Sequence, residues 1–171
     1  MKKGISLIRY AITDSTNTRA KEYINSGDEP IPALFIADGQ TDGRGRMGRS
    51  FYSPEQTGLY ATLLFMAPKS EDRLLSLTSL AAVAAAEAID ELLGVSVEIK
   101  WVNDLYKNGR KVAGILAESF ERYSQRYIAL GIGINLVVNL LLQAQVVVLH
   151  EAALKDLNIA VFKMPYPVKA V

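Results

Sequence analysis

Apolar and β-prone residues mix from Ile5 to Ile12 in the manner of a strand, and Thr13-Asp14-Ser15-Thr16-Asn17 follows with the short polar side chains that cap helices. A helix is predicted from there to about Ser26, with Gly27 as its stop. After a turn at Asp28-Glu29-Pro30, the short apolar run Ala33 to Ala37 predicts a buried strand, and a polar loop extends from Asp38 to about Thr57. Leu59 to Met66 is the next strand, closed by Pro68, and the Ala/Leu-rich stretch Asp72 to Leu93 is a long helix closed by Gly94.

Val95 to Trp101 alternates like a half-buried strand. Asn108-Gly109, set between Asp104–Lys107 and Arg110–Phe120, is the preferred pair for a two-residue type I′ hairpin, and a last strand spans about Tyr127 to Ile134. Two strand–helix units followed by a meander predict an α+β fold with helices on one side of a sheet. Beyond Asn135 the pattern loosens: Val137 to Leu149 is almost wholly apolar and fits either a helix or a strand, and Pro165 and Pro167 leave the last residues without a clear element.

Length and composition narrow the classes. The 171 residues suit one domain, and an apolar half is enough for a full core. Nineteen basic against 18 acidic residues give a net charge of +1, so no global field holds a polyanion and any arginine cluster must be read locally. The chain has no cysteine, which removes disulfides, a thiolate nucleophile and Cys-ligated metals, and fits an intracellular, cytoplasmic address. No secretory signal is expected at Met1-Lys2-Lys3-Gly4. The most apolar segment, Leu74 to Leu93, carries Glu87, Asp90 and Glu91 and reads as a buried helix rather than a membrane span.

Four segments carry chemistry. Gly43-Arg44-Gly45-Arg46-Met47-Gly48-Arg49 interleaves glycines, which let backbone N–H groups approach a ligand, with guanidinium forks matched to carboxylate or phosphate. It lacks the Lys-Ser/Thr ending of a Walker loop, and a solvated basic loop or a nucleic-acid contact stays open as its alternative. Lys100-Trp101-Val102-Asn103-Asp104-Leu105-Tyr106 offers a flat aromatic face with an amide and a carboxylate at a strand's edge, or simply a core Trp beside a hairpin. Lys111-Val112-Ala113-Gly114-Ile115-Leu116-Ala117-Glu118 puts a lysine near a glycine on a strand, and Gly131-Ile132-Gly133-Ile134-Asn135 places glycines where a bulge or a ligand against the backbone is expected. His150, the only histidine, has no visible partner, so neither a Ser-His-Asp triad nor a histidine metal cluster is expected.

In this order, Asp14-Ser15-Thr16-Asn17, the block from Gln40 to Arg49, Lys100 to Leu105, Lys111 to Leu116 and Gly131 to Asn135 resemble the biotin protein ligase family, over about Leu7 to Leu136. The resemblance implies a central mixed sheet like that of class II aminoacyl-tRNA synthetases and lipoate ligases. It implies a ligase that makes biotinyl-5′-AMP from biotin and ATP, with Mg²⁺, and then transfers biotin to a lysine of a biotin carboxyl carrier domain of a carboxylase. By match to the family pattern, Ser15, Thr16, Asn17, Gln40, Gly43, Arg44, Gly114 and Gly131 would lie around biotin. Arg46, Arg49, Phe51, Asn103, Asp104 and Asn135 would lie around the nucleotide, with Lys111 between the two ligands. Lys111, Arg46 and Asp104 are the catalytic candidates; metal ligands are not assigned.

Phe51 stands where the family usually has Trp, Val102 where it has Pro, and Met47 where Arg is frequent. No N-terminal winged helix-turn-helix is recognised, so DNA binding is not expected. No C-terminal β-barrel is recognised either. Residues 1–136 are read as the catalytic core and 137–171 as a divergent tail of the same domain. A homodimer is left open, no membrane partner is expected, and a lipoate or octanoate ligase or transferase on the same architecture is the nearest rival.

Overall fold

The computed structural model of the chain describes residues 5–27, 31–67 and 71–136. The elements in order are β1 (Ser6–Thr13), α1 (Thr16–Ser26), β2 (Ala33–Gln40), β3 (Gly58–Met66), α2 (Glu71–Leu93), β4 (Glu98–Lys100), β5 (Asp104–Lys107), β6 (Arg110–Arg122) and β7 (Gln125–Asn135). A short 3-10 turn, Arg46–Gly48, lies between β2 and β3. The strands form one seven-stranded sheet in the order β1-β2-β3-β7-β6-β5-β4. β1 and β2 are parallel and joined by α1; every other neighbouring pair is antiparallel. The expected α+β class with a mixed sheet is therefore the one the chain adopts. The turn at 28–30, the stop at Pro68, and everything predicted beyond Leu136, His150 included, lie outside the described residues.

The helices do not share one side of the sheet, as the order of elements suggested. In β7, Ile128 and Leu130 join the core under α2, with Ala113, Ile115 and Leu105 from β6 and β5 and Leu77, Ala81, Ala85 and Ile89 from the helix. Ala129, between them, joins the core under α1 with Ala20, Ile24, Phe35 and Leu64. Successive strand residues point to opposite faces, so α1 and α2 cover opposite faces. The order of elements cannot reveal this, because β7 inserts between β3 and β6 and so brings both helices over neighbouring strands.

Local signals explain most boundaries. In α2, Leu77, Ala81, Ala85 and Ile89 recur every fourth residue and form one buried stripe. Gly94 ends the helix at φ 62°, its N–H donating to Asp90 O at 2.8 Å. Asn108 and Gly109 both adopt positive φ, 51° and 72°, as the predicted hairpin requires. β4 is only three residues long, not the seven of the alternating stretch, because its one neighbour in the sheet, β5, pairs with it only from Glu98 to Lys100. β2 runs on to Gln40 because its parallel pairing with β1 continues to Thr13.

A second tight hairpin, at Tyr123-Ser124, joins β6 to β7 with φ of 48° and 61° and carries no Asn or Gly to announce it. L-residues resist this region, so the turn is held by the long β6–β7 ladder rather than by its own residues. Ser124→Gly removes that resistance at some cost in unfolded-chain entropy and is expected to raise Tm by about 2–4 °C. A thermal unfolding scan checks this; an unchanged or lower Tm would mean that the turn is not strained.

Candidate functional site

The two faces of β6 and β7 differ in kind. Register pairs Gly114 with Gly133, Leu116 with Gly131 and Glu118 with Ala129, and β3 adds Thr62 opposite Gly131. These positions form the α1 face, and the glycines among them leave a floor with no side chains. Other groups occupy that space. A Cβ on Gly131 would fall on Asn17 Oδ1, one on Gly133 would fall on the Phe51 ring, and one on Gly114 would come within 3.2 Å of Lys111 Nζ. Over this floor opens a cleft of about 450 Å³, open to solvent.

The first wall is the start of α1. Ser15 has the extended conformation of an N-cap, yet its hydroxyl makes no capping bond, contrary to the simple capping reading. The exposed end of the helix is satisfied otherwise: Ser15 N–H donates to Asp14 Oδ1 at 2.6 Å and Thr16 N–H to Gln40 Oε1 at 2.8 Å. Arg19 holds the Asp14 carboxylate from both nitrogens of one fork, at 3.0 and 2.9 Å. Ser15, Thr16 and Asn17 are all buried and line the cleft.

Behind that wall runs a chain of hydrogen bonds. Thr62 Oγ1 lies 2.8 Å from Thr16 Oγ1 and donates to Asn17 Oδ1 at 2.6 Å. Asn17 Nδ2 donates to Glu118 Oε2 at 2.7 Å, and Lys21 Nζ to Glu118 Oε1 at 2.7 Å. On the other side Gln40 Nε2 donates to Ser53 Oγ at 3.0 Å, and Ser53 to the Phe51 carbonyl at 3.0 Å. The cleft is thus framed by oriented amides and hydroxyls that can meet a small polar ring with donors and acceptors of matching sense.

The opposite wall is cationic. The arginine loop folds back on itself: Gly45 N–H donates to Arg49 O at 2.7 Å, Phe51 N–H to Gly43 O at 2.7 Å, and Arg44 bridges Ser50. Met47 sits at the tip with φ 57° and is 90% exposed. Arg44 and Arg46 line the cleft, and Arg46 Nη1 donates to Asn103 Oδ1 at 3.2 Å. Asn103 is fixed in turn by Ile115, to whose carbonyl its Nδ2 donates at 3.0 Å. Lys111 Nζ lies 2.7 Å from Asp104 Oδ1 and 5.7 Å from the centre of the Phe51 ring. Two arginines and one lysine around one opening suit a ligand, or two ligands, rich in negative oxygen.

Of the residues expected near biotin, Ser15, Thr16, Asn17, Gln40, Arg44, Gly114, Gly131 and Lys111 line the cleft. Gly43 does not; it lies behind, where a Cβ would meet the Phe51 carbonyl and Ser53 Oγ. Of the nucleotide set, Arg46, Phe51 and Asn103 line it. Asp104 stands behind Lys111, Arg49 holds the loop through its backbone, and Asn135 accepts from the Tyr60 hydroxyl at 3.4 Å where β7 ends opposite Gly58. Trp101 is 77% exposed and so is not a core residue. Thr62, Glu118, Lys21 and Ser53 were not anticipated. Their part follows from strand register and helix placement, for which no spacing in the sequence gives a signal.

The chain belongs to the biotin/lipoate A/B protein ligase family, whose model matches residues 10–135. Within it, the chain is 40% identical over 133 residues to the bifunctional ligase/repressor BirA of Bacillus subtilis, covering 77% of this chain and 41% of that protein. It is 38% identical over 132 residues to the biotin–[acetyl-CoA-carboxylase] ligase of Paracoccus denitrificans, covering 74% and 52%. Among solved structures, the biotin protein ligase from Aquifex aeolicus in complex with biotin and ATP matches with a TM-score of 0.62 and 36% identity, over 76% of this chain and 52% of that one. The chain spans about half the length of these relatives. Among the described residues no helix is long and apolar enough to cross a membrane.

Burial alone would push the Glu118 carboxyl up, but hydrogen bonds from Lys21 and Asn17 and the charges of Lys21 and Arg44 outweigh it and hold it below its ordinary value. The unfolded value is then the higher one. The stabilisation is full above it and is lost as pH falls through the lower, folded value. Glu118→Gln should therefore be less stable than wild type near neutral pH in urea titrations, and the gap should close as pH drops through the carboxylate range. A gap that does not change with pH would remove the ion pair as its source.

Proposed function

We propose that the chain carries the catalytic site of a biotin–protein ligase, which condenses biotin with ATP and passes the biotinyl group to a lysine of a carboxylase's biotin carboxyl carrier domain. The observation that carries this reading is the cleft lined on one side by the polar residues Ser15–Asn17 and on another by Arg44, Arg46 and Lys111, over a floor of glycines. Two of the relatives named above, those from Paracoccus denitrificans and Aquifex aeolicus, support biotin rather than lipoate, since biotin is the ligand in their names.

In the first step a carboxylate oxygen of biotin attacks the α-phosphorus of ATP, and the bond to the leaving pyrophosphate breaks. Two anions must approach, so positive charge is needed where they meet. Lys111, with Arg44 and Arg46, supplies it. Ser15, Thr16, Asn17 and Gln40 would hold the ring, with Gly114 and Gly131 leaving it room and Gly43 seating the loop. Phe51, Asn103 and Arg46 would hold the nucleotide, with Arg49 and Asn135 at its margins. In the second step the acceptor's amine attacks the acyl carbon, AMP departs and the amine gives up a proton. Asp104, half-buried beside Lys111, is the carboxylate available to orient that amine.

Mg²⁺ fits without a protein cage. Among the described residues no three His, Asp or Glu side chains gather to hold a metal. This ion commonly keeps its waters and takes substrate phosphates with one or two carboxylates, of which Asp104 would be one. Bound there, it would neutralise phosphate charge.

Lys111→Ala should retain the fold, because the side chain is exposed on a strand, and should lower biotin-dependent ATP–pyrophosphate exchange by about 10²-fold or more. This assay needs no acceptor, and lipoate in place of biotin tests the rival substrate. Near-normal exchange in the folded variant would exclude Lys111 from the chemistry.

Three exposed arginines within six residues also make the loop a natural trypsin site when no anion holds it. Cleavage after Arg44, Arg46 or Arg49 should be slowed by biotin with ATP together. Equal rates with and without ligands would show that the loop does not close over them.

A further inference from the structure

Asn17 has both halves of its amide held, Nδ2 by Glu118 at 2.7 Å and Oδ1 by Thr62 at 2.6 Å. An ionised carboxylate accepts and never donates, so Glu118 dictates which way the amide faces: its NH₂ toward the carboxylate, its carbonyl toward Thr62 and the glycine floor. That carbonyl oxygen lies where a Cβ on Gly131 would fall, directly against the floor of the cleft. The second oxygen of Glu118 is taken by Lys21 at 2.7 Å, and neither Lys21 nor Glu118 lines the cleft.

We propose that the Lys21–Glu118 ion pair is a positioning device for biotin: without touching the ligand, it locks the Asn17 amide so that the carbonyl oxygen meets a ureido N–H of the biotin ring. The inference rests on the biotin-ligase reading and adds to it. A ureido group carries two N–H donors and one carbonyl acceptor, so its partners must be set with the right sense. A flipped Asn17 would set its NH₂ against an N–H, two donors facing each other. Gln at position 118 cannot do the work of Glu, because its single oxygen can accept from Lys21 or from Asn17 and its own NH₂ must then face the other.

The charged groups facing Glu118 are Lys21 from α1 and Arg44 from the loop after β2. Its neighbours on the same face of the sheet, Ala129 on β7 and Leu116 and Phe120 on β6, carry no charge. Removing Lys21 leaves burial less opposed, so protonation of the carboxyl and release of Asn17 should begin at higher pH.

Calorimetric titration of biotin into the chain across a pH series tests this, with ATP binding followed in parallel. Glu118→Gln should weaken biotin about tenfold near neutral pH, with the gap to wild type closing as pH falls through the carboxylate range and with ATP affinity moving far less. Lys21→Met should bind biotin with an acid limb displaced to higher pH, and Lys21→Arg should restore the wild-type profile. Biotin binding as tight as wild type in Glu118→Gln, or a Lys21→Met curve lying on the wild-type one, overturns the proposal and leaves the ligand reading standing. If Glu118→Gln fails to fold, the two Lys21 variants decide. A wild-type chain that binds ATP but no biotin overturns the ligand reading, and this inference with it.

Discussion

The site depends on one alternation. From Ile128 to Ile134, β7 places branched apolar residues on one face and Ala129, Gly131 and Gly133 on the other. The apolar face is bound to α2 by ordinary core packing. That anchoring frees the opposite face to be nearly bare, which a sheet can tolerate only where something else fills the space. Asn17, Phe51 and Lys111 reach into it from three different segments, and each is placed by the absence of a β-carbon beneath it. A one-residue slip of β7 would exchange the faces, putting isoleucine under the cleft and glycine against α2.

The departures from the family pattern sit on this frame without breaking it. Phe51 in place of Trp keeps an aromatic ring against Gly133 and beside Lys111, so the packing surface survives while the indole donor is gone. Met47 in place of Arg sits at the exposed tip of the loop and does not line the cleft, whereas Arg44 and Arg46 do. The cationic wall therefore keeps the charges that face inward.

Much of the fold was legible because local patterns were strong: the Ala/Leu-rich stretch of α2 with its Gly94 stop, the Asn108-Gly109 turn, and the short apolar run of β2 all lie where the chain pattern puts them. The blocks that line the cleft stood out for a different reason, since glycines interleaved with arginines are conspicuous in a chain of otherwise balanced charge. What stayed hidden depends on pairing between distant strands. Glu118 reads as one polar position on an alternating strand, and only the placement of α1 turns it toward Lys21 and Asn17. Thr62 reads as a β-former, yet it sits buried and hydrogen-bonded to both Thr16 and Asn17. The Tyr123-Ser124 turn was invisible because its conformation is imposed by the ladder on either side. The opposite placement of the helices was hidden too, for it follows from β7 returning to the middle of the sheet.

That return also fixes when the cleft can come into being. β7 is the last described strand along the chain, yet it lies between β3 and β6, so the sheet's interior is completed by its latest piece. Until it docks, Thr62 has no strand on its β7 side and the floor does not exist. Such late, non-local closure is slow relative to forming a helix or the local Asn108-Gly109 hairpin. Nascent chain that has formed β1, α1, β2 and β3 possesses the polar wall but nowhere to seat a ring. Any small molecule recognised by wall and floor together is therefore bound by the finished sheet alone, and its binding free energy is added to the stability of every strand at once.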